Sequence, residues 1–161
     1  MKFIVDGMLG RLSRWLRILG HNVEYSNNLD DAQLLTIAKK ETRTLLTRDF
    51  ELYRHATAKG MDAFYVEGET GEERLAALAK RYGMDLRIDM TISRCPKCNT
   101  KVKPITKIEA AGKVEKSTFE HYEEFWKCPK CGQIYWQGAH WTRIKRTLEV
   151  AQEILENSKK N

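Results

Sequence analysis

The chain has 161 residues, 42% of them hydrophobic and 31% charged. That is enough apolar material for one compact domain, or one with a small appendage, and it excludes a disordered chain. No apolar run approaches the ~20 residues of a membrane span. The apolar stretch behind Met1 and Lys2 is only Phe3-Ile4-Val5, so no anchor and no secretory signal is expected, and the cytoplasm is the expected compartment. The formal net charge of +6 falls in the last part of the chain: residues 1–92 carry 14 Lys/Arg against 14 Asp/Glu, and residues 93–161 carry 14 against 8. Such a basic segment points to a polyanion, nucleic acid above all, and fits a solvated lysine-rich surface equally well.

In chain order, KFIVD (2–6) reads as a short apolar strand that ends on Asp6. GRLSRWLRIL follows with helical spacing: Leu9, Leu12, Leu16 and Leu19 share one face, while Arg11, Arg14 and Arg17 are expected to point away from it. Gly20 ends that helix. NVEYS is a second strand, DDAQLLTIAKKE a helix, TLLTRD a third strand and FELYRHATAKG a helix closed by Gly60. DAFYVEG and GEERLAALAKRYG complete a fourth strand and helix, the latter closed by Gly83. Four strand–helix units in succession predict a parallel sheet covered by helices.

Ligands of such sheets bind beyond the carboxyl ends of the strands, and here those ends are acidic. Strand one ends in Asp6, strand two leads into Asp30 and Asp31, strand three ends in Asp49, and strand four ends at Glu67. Crowded carboxylates take up protons unless a cation intervenes, and a hard divalent ion such as magnesium or manganese suits them. Each position also has a plainer role. Asp30 stands in capping-box register with Gln33, which leaves Asp31 free to face the rim. Asp49 fits an N-cap of the next helix, whereas Asp6 has no comparable capping role. Arg48, beside Asp49, can clamp a phosphate, brace a carboxylate, or pair with Asp31 or Glu51.

All four cysteines lie in two copies of one tetrapeptide, Cys95-Pro96-Lys97-Cys98 and Cys128-Pro129-Lys130-Cys131, with 29 residues between the pairs. Two matched Cys-x-x-Cys turns make a closed tetrathiolate zinc site, structural because no position is left for water. The segments KVKPITKIEAAGKVEK and YEEFWK are expected as short strands about a turn at Gly112, giving a zinc ribbon. Trp126 and Trp136 are expected in its core. Residues 93–142 form this second module. The last segment, 143–161, is expected as a helix with Ile144, Leu148, Ala151 and Leu155 on one face, docked on the α/β core or on a second subunit of a homodimer.

In combination, VDGMLGRLSRWLRILGHNV, DDAQLLTIAKKETRTLLTRD and SRCPKCN with FWKCPKCGQIYWQGAHW resemble the PIN-like ribonucleases that carry a C-terminal zinc ribbon, the Mut-seven C-terminal RNase domain family. The resemblance runs from about Lys2 to about Arg146. It implies a PIN-like three-layer α/β/α domain over residues 1–92 and metal-dependent hydrolysis of RNA that leaves a 5′-phosphate. Carried over by position, the acidic set falls on Asp6, Asp31 and Asp49, with Glu67 as the best fourth ligand and Glu69 the next. Arg48 takes a catalytic place, and Arg11 and Arg14 take flanking phosphates. Arg143 and Arg146, behind the ribbon with Lys145, would extend the track along RNA. Two alternatives stay open: a zinc-ribbon RNA-binding protein without catalysis, and a structure-selective DNA nuclease.

Overall fold

The computed structural model describes all residues, Met1–Asn161. Strands β1 (Lys2–Val5), β2 (Asn22–Tyr25), β3 (Thr44–Thr47) and β4 (Ala63–Tyr65) form one parallel sheet in the order β2-β1-β3-β4. Helix α1 (Gly10–Ile18) links β1 to β2, α2 (Asp31–Glu41) links β2 to β3, α3 (Phe50–Ala58) links β3 to β4, and α4 (Gly71–Tyr82) follows β4. From β1 the chain moves outward to β2, then jumps back across β1 to β3 and continues to β4. Right-handed crossovers must then lay α1 on one face of the sheet and α2 and α3 on the other.

The core obeys this division because side chains alternate along each strand. Phe3, Val5 and Leu46 point into one cluster with Leu12, Leu16, Leu75 and Leu78 of α1 and α4. Ile4 and Leu45 point the other way, against Leu34, Leu35, Ala38, Leu52 and Ala56 of α2 and α3. The C-terminal helix α7 (Ala139–Lys160) lies on α4, and its Leu148, Ala151 and Leu155 join the first cluster. Of the two surfaces open to that helix from sequence, the α/β core of its own chain is the one it covers.

The cysteine-bearing module is a three-stranded antiparallel sheet of β5 (Lys103–Ile105), β6 (Phe125–Lys127) and β7 (Ile134–Tyr135) in that order. β5 and β6 fall in the two segments expected as strands, but no strand forms beside Gly112. Residues between β5 and β6 coil into α5 (Lys107–Ala110) and α6 (Lys116–His121) instead. Thr106 caps α5 through a capping box with Glu109, a local signal that outweighs the strand-like alternation of PITKIE. Trp126 is buried, and Trp136 packs against Ala110, Phe125 and Ile134.

The two modules meet through polar contacts. Arg17 is expected on a solvated helix face but is only 6% exposed. Its Nε and Nη2 donate to the Val23 carbonyl at 3.1 and 2.8 Å, and its Nη1 donates to the Pro96 carbonyl at 3.0 Å. Asn99 completes the seam. Its side-chain oxygen accepts from the Val23 N–H at 3.0 Å and its amide nitrogen donates to Asn22 Oδ1 at 2.9 Å. The Ser93 hydroxyl and the Arg94 N–H also donate to the Ile18 and Arg17 carbonyls. Burial, and to a lesser degree the neighbouring Arg14, lowers the Arg17 pKa, and Glu24 and the Cys95 and Cys98 thiols oppose that shift. The guanidinium thus belongs where negative charge gathers.

Two measurements test this packing. Arg17→Met keeps the apolar stem but strands the Val23 and Pro96 carbonyls, and should cost about 2–3 kcal/mol in denaturant unfolding. His21 stacks edge-on against Phe3, and burial followed by the N-terminal charge lowers its pKa to about 4 from 6.5. The unfolded chain therefore binds the extra proton first as pH falls, so stability should drain away from pH 6.5 down to about 4. His21→Phe should flatten that slope by about 2 kcal/mol, allowing for a ring partly open to solvent, with metal loading held equal in both proteins.

Candidate functional site

The reversal of direction between β1 and β3 opens a crevice at the carboxyl edge of the sheet, the place where open α/β sheets take ligands. Asp6 directly follows β1, and Thr47 ends β3. Both continue the alternation that sends Ile4 and Leu45 toward α2 and α3, so both side chains face that side. The Thr47 hydroxyl, fully buried, donates to Asp6 Oδ2 across the crevice. The Arg48 N–H donates to the same oxygen at 3.2 Å, and the Met8 N–H donates to Asp6 Oδ1 at 2.9 Å. Asp6 therefore does cap a helix: a 3₁₀ turn at Gly7–Leu9 intervenes before α1 and provides the donor. With 6% exposure Asp6 is held, not mobile.

Asp49 is tied to the same hydroxyl through its backbone, whose N–H donates to Thr47 Oγ1 at 2.9 Å. Its Oδ1 caps α3 by accepting from the N–H groups of Glu51 and Leu52 at 2.9 and 3.1 Å. Oδ2 has no protein partner. Thr47 is the residue that sequence reasoning passed over. Its position at the end of an apolar strand, two residues before an aspartate, was the available signal. Asp31 opens α2, exposed and unbonded, while Asp30 beside it forms the expected capping box with Gln33. Asp31 faces α3 across a cleft shared with Glu51 and His55. Glu67 is exposed just beyond β4, and the Glu69 N–H donates to Glu73.

Asp6, Asp31 and Asp49 thus occupy one rim, but not one tight cluster. The cysteines are the one group of three or more His, Cys, Asp or Glu side chains whose ligand atoms all lie within 4.8 Å of one another. The donor set at the rim still suits a hard cation. Asp31 and Asp49 keep carboxylate oxygens free, and magnesium retains several waters, which lets carboxylates act from a wider circle.

Arg48 alternates to the opposite face from Thr47. Its Nη1 donates to the Gly68 carbonyl at 2.6 Å and to the Val66 carbonyl at 3.4 Å, and it pairs with neither Asp31 nor Glu51. Arg74 Nε donates to the same Gly68 carbonyl at 3.0 Å. Arg48 thus braces the turn after β4. Arg11 and Arg14 are exposed, without ion pairs, and line a cleft of about 610 Å³ with Arg74 and with Lys97 of the first cysteine turn. Arg143 is exposed, whereas Arg146 is engaged with Glu149 and Glu153 at 3.7 and 4.0 Å.

The cysteine turns are copies in three dimensions as well as in sequence. In each, the first cysteine N–H donates to the carbonyl five residues on, Thr100 or Gln133, and its carbonyl accepts from the N–H four residues on, Asn99 or Gly132. That fourth residue has positive φ in both, 69° at Asn99 and 77° at Gly132, the conformation that glycine and asparagine tolerate best. Cys95 and Cys131 Sγ lie 3.7 Å apart, and Cys98 and Cys128 Sγ 3.3 Å apart. Zn–S bonds of about 2.3 Å put tetrahedral sulfurs about 3.8 Å apart, so the four thiols could hold a metal such as zinc. The Tyr135 hydroxyl lies 3.0 Å from Cys95 Sγ, placed to support a thiolate.

Metal removal tests this centre. Chelation under reducing conditions should loosen Trp126, which shares a small core with Cys95, Cys128 and Val102, and shift tryptophan emission to the red. Zinc should restore the spectrum, with one equivalent per chain and protons released on binding.

No helix is long and apolar enough to cross a membrane. Neither the curated proteins nor the solved structures yield a match to the chain. The family model described as Mut7-C RNAse domain matches residues 1–148. That span takes in the parallel sheet with its acidic rim, both cysteine turns and the first half of α7, and the chain belongs to the Mut7-C RNAse domain family.

Proposed function

We propose that the protein is a metal-dependent ribonuclease of the cytoplasm, with Asp6, Asp31 and Asp49 holding magnesium or manganese at the crevice and zinc bound by Cys95, Cys98, Cys128 and Cys131. The observation that carries this reading is the convergence on Thr47. One buried hydroxyl at the topological switch point orders the Asp6 carboxylate and the backbone of Asp49 together. A purely structural cap would not need a carboxylate locked by three donors at the mouth of the sheet. Family membership supports a ribonuclease.

In this reading the divalent ion supplies a polarised phosphate oxygen and a bound water acidic enough to lose its proton near neutral pH. The chain's own residues provide the rest. Asp6 is the fixed ligand, since its three hydrogen bonds leave it one orientation. Asp49 presents Oδ2 while Oδ1 stays with α3. Asp31 approaches from the start of α2, and Glu67 is the available fourth carboxylate beyond β4. Arg48 keeps the turn after β4 in place, and so positions Glu67, rather than gripping the substrate. Arg11 and Arg14 hold flanking phosphates, in a cleft that reaches the rim at Met8, the residue whose N–H binds Asp6. Arg143 extends the cationic surface, and Arg146 adds to it only by giving up its glutamates.

The four thiols need a reducing compartment to remain available to zinc, which agrees with the cytoplasm. The test is cleavage of RNA and DNA strands with added manganese. Asp49→Asn is the informative variant, because an asparagine oxygen can still cap α3 and the fold should survive. RNA cleavage should fall by about 10²-fold or more, with unfolding unchanged and RNA binding largely kept. Intact RNA in every metal would leave a binding protein, and preferential DNA cleavage would reassign the substrate.

A further inference from the structure

We propose that Phe50, Tyr53 and Tyr65 form a stacking platform for an unpaired nucleobase at the edge of the carboxylate rim, so that the polynucleotide is engaged as a single strand. This rests on the ribonuclease reading for its ligand and goes beyond it in naming the form of that ligand and the surface that selects it.

The platform begins where the rim ends. Phe50 is the first residue of α3, directly after Asp49, and 54% of it is open to solvent. One exposed phenylalanine would need no account, but this one is the free end of a cluster of rings. Its ring stands edge-on to Tyr65 at 5.6 Å and tilted to Tyr53 at 6.0 Å, with Tyr53 and Tyr65 6.2 Å apart. Tyr65 pairs in register with Thr47, the residue that orders Asp6 and Asp49. Side chains in register on adjacent parallel strands share a face. The rings therefore continue the row of Asp6 and Thr47 one strand further, with a free aromatic edge and face at the end.

On the other flank of Asp6 the surface changes character. The cleft that starts at Met8 is lined by Arg11, Arg14, Arg17, Arg74 and Lys97, with no carboxylate among its lining residues. On α1 the arginines run from Arg11 to Arg17 and so carry this charge over about 9 Å along the axis, enough for about two neighbouring phosphates. A polyanion is the complement of that cleft. A strand that leaves its phosphates there and crosses the carboxylates meets the rings next, two strand spacings or about 10 Å from Asp6. In a duplex the base faces are already stacked and buried, so the rings would have nothing to receive. An unpaired base has a free face, and stacking of that kind is strong and tolerant of sequence.

The experiment measures binding of a short labelled oligoribonucleotide to the zinc-loaded full chain by fluorescence anisotropy, without magnesium or manganese so that cleavage does not intrude. Phe50→Ala should weaken single-strand binding by about 5- to 100-fold and leave duplex binding unchanged. Phe50→Tyr should restore it, and Phe50→Leu, apolar without a π face, should not. A single abasic nucleotide moved along the strand should cost the wild type affinity at one position and cost Phe50→Ala nothing there. Equal binding by wild type and Phe50→Ala, or a flat abasic scan in the wild type, overturns the platform. So does a wild type that binds no strand, or a Phe50-dependent dimer in sedimentation with unaltered RNA binding, which would assign the rings to contact between copies. The ribonuclease reading fails separately. Wild type that binds as described but leaves RNA intact with manganese keeps the platform and loses the nuclease, and cleavage indifferent to Phe50 does the reverse.

Discussion

Between β1 and β3 the chain changes its direction of travel across the sheet, and the molecule is organised around the gap this leaves. Helices of successive units that run in one direction share a face of the sheet, but here α1 departs to one face and α3 to the other. The two strand ends are left side by side with no helix crossing between them. A hydroxyl buried in that gap needs a partner, and Thr47 finds it in Asp6. The same oxygen then accepts the Asp49 N–H. One hydrogen-bond chain thus joins strands that are 41 residues apart in sequence and sets the direction of the carboxylate closest to the crevice.

The cationic surface depends on a different constraint, the seam between the two modules. Arg17 and Asn99 take the polar groups that the start of β2 and the first cysteine turn would otherwise leave unpaired. Asn99 serves twice, since its backbone occupies the left-handed position that Gly132 fills in the second turn. The first turn uses asparagine because that position is also an interface, and the second can use glycine because it is not. Docking in this way sets Lys97 beside Arg11 and Arg14, so the cleft exists only when both modules are folded and joined.

Charge follows the same logic. The excess of +6 comes from residues 93–161, yet a tetrathiolate holding a divalent ion carries −2 of its own. Arg17 sits where that negative charge is felt, next to the Cys95–Cys98 turn. Open arginines occur in both parts of the sequence, Arg11 and Arg14 on α1 in the stretch whose net charge is zero and Arg143 on α7. Charge counted along the sequence therefore does not by itself locate the cationic cleft, whose α1 arginines lie in the stretch with no net charge.

Residue order alone determined the strand–helix alternation, the capping box at Asp30 and Gln33, the cysteine quartet and the acidic strand ends. Each is written in local spacing, and local spacing decides helix periodicity, strand alternation and the reach of two thiols across a tight turn. It could not assign the arginines. Arg11, Arg14, Arg17 and Arg48 look alike in sequence, but two are open, one is an inter-module strut and one braces the turn after β4. Nor could it place α5 inside a segment expected as a strand or α6 behind it, or see that Thr47 would link Asp6 to Asp49 and that Tyr65 would stand beside it. Those outcomes depend on which strands become neighbours and which carbonyls they leave unpaired. Only the folded chain settles that, because a hydrogen bond across the sheet is a property of two distant segments and of neither alone.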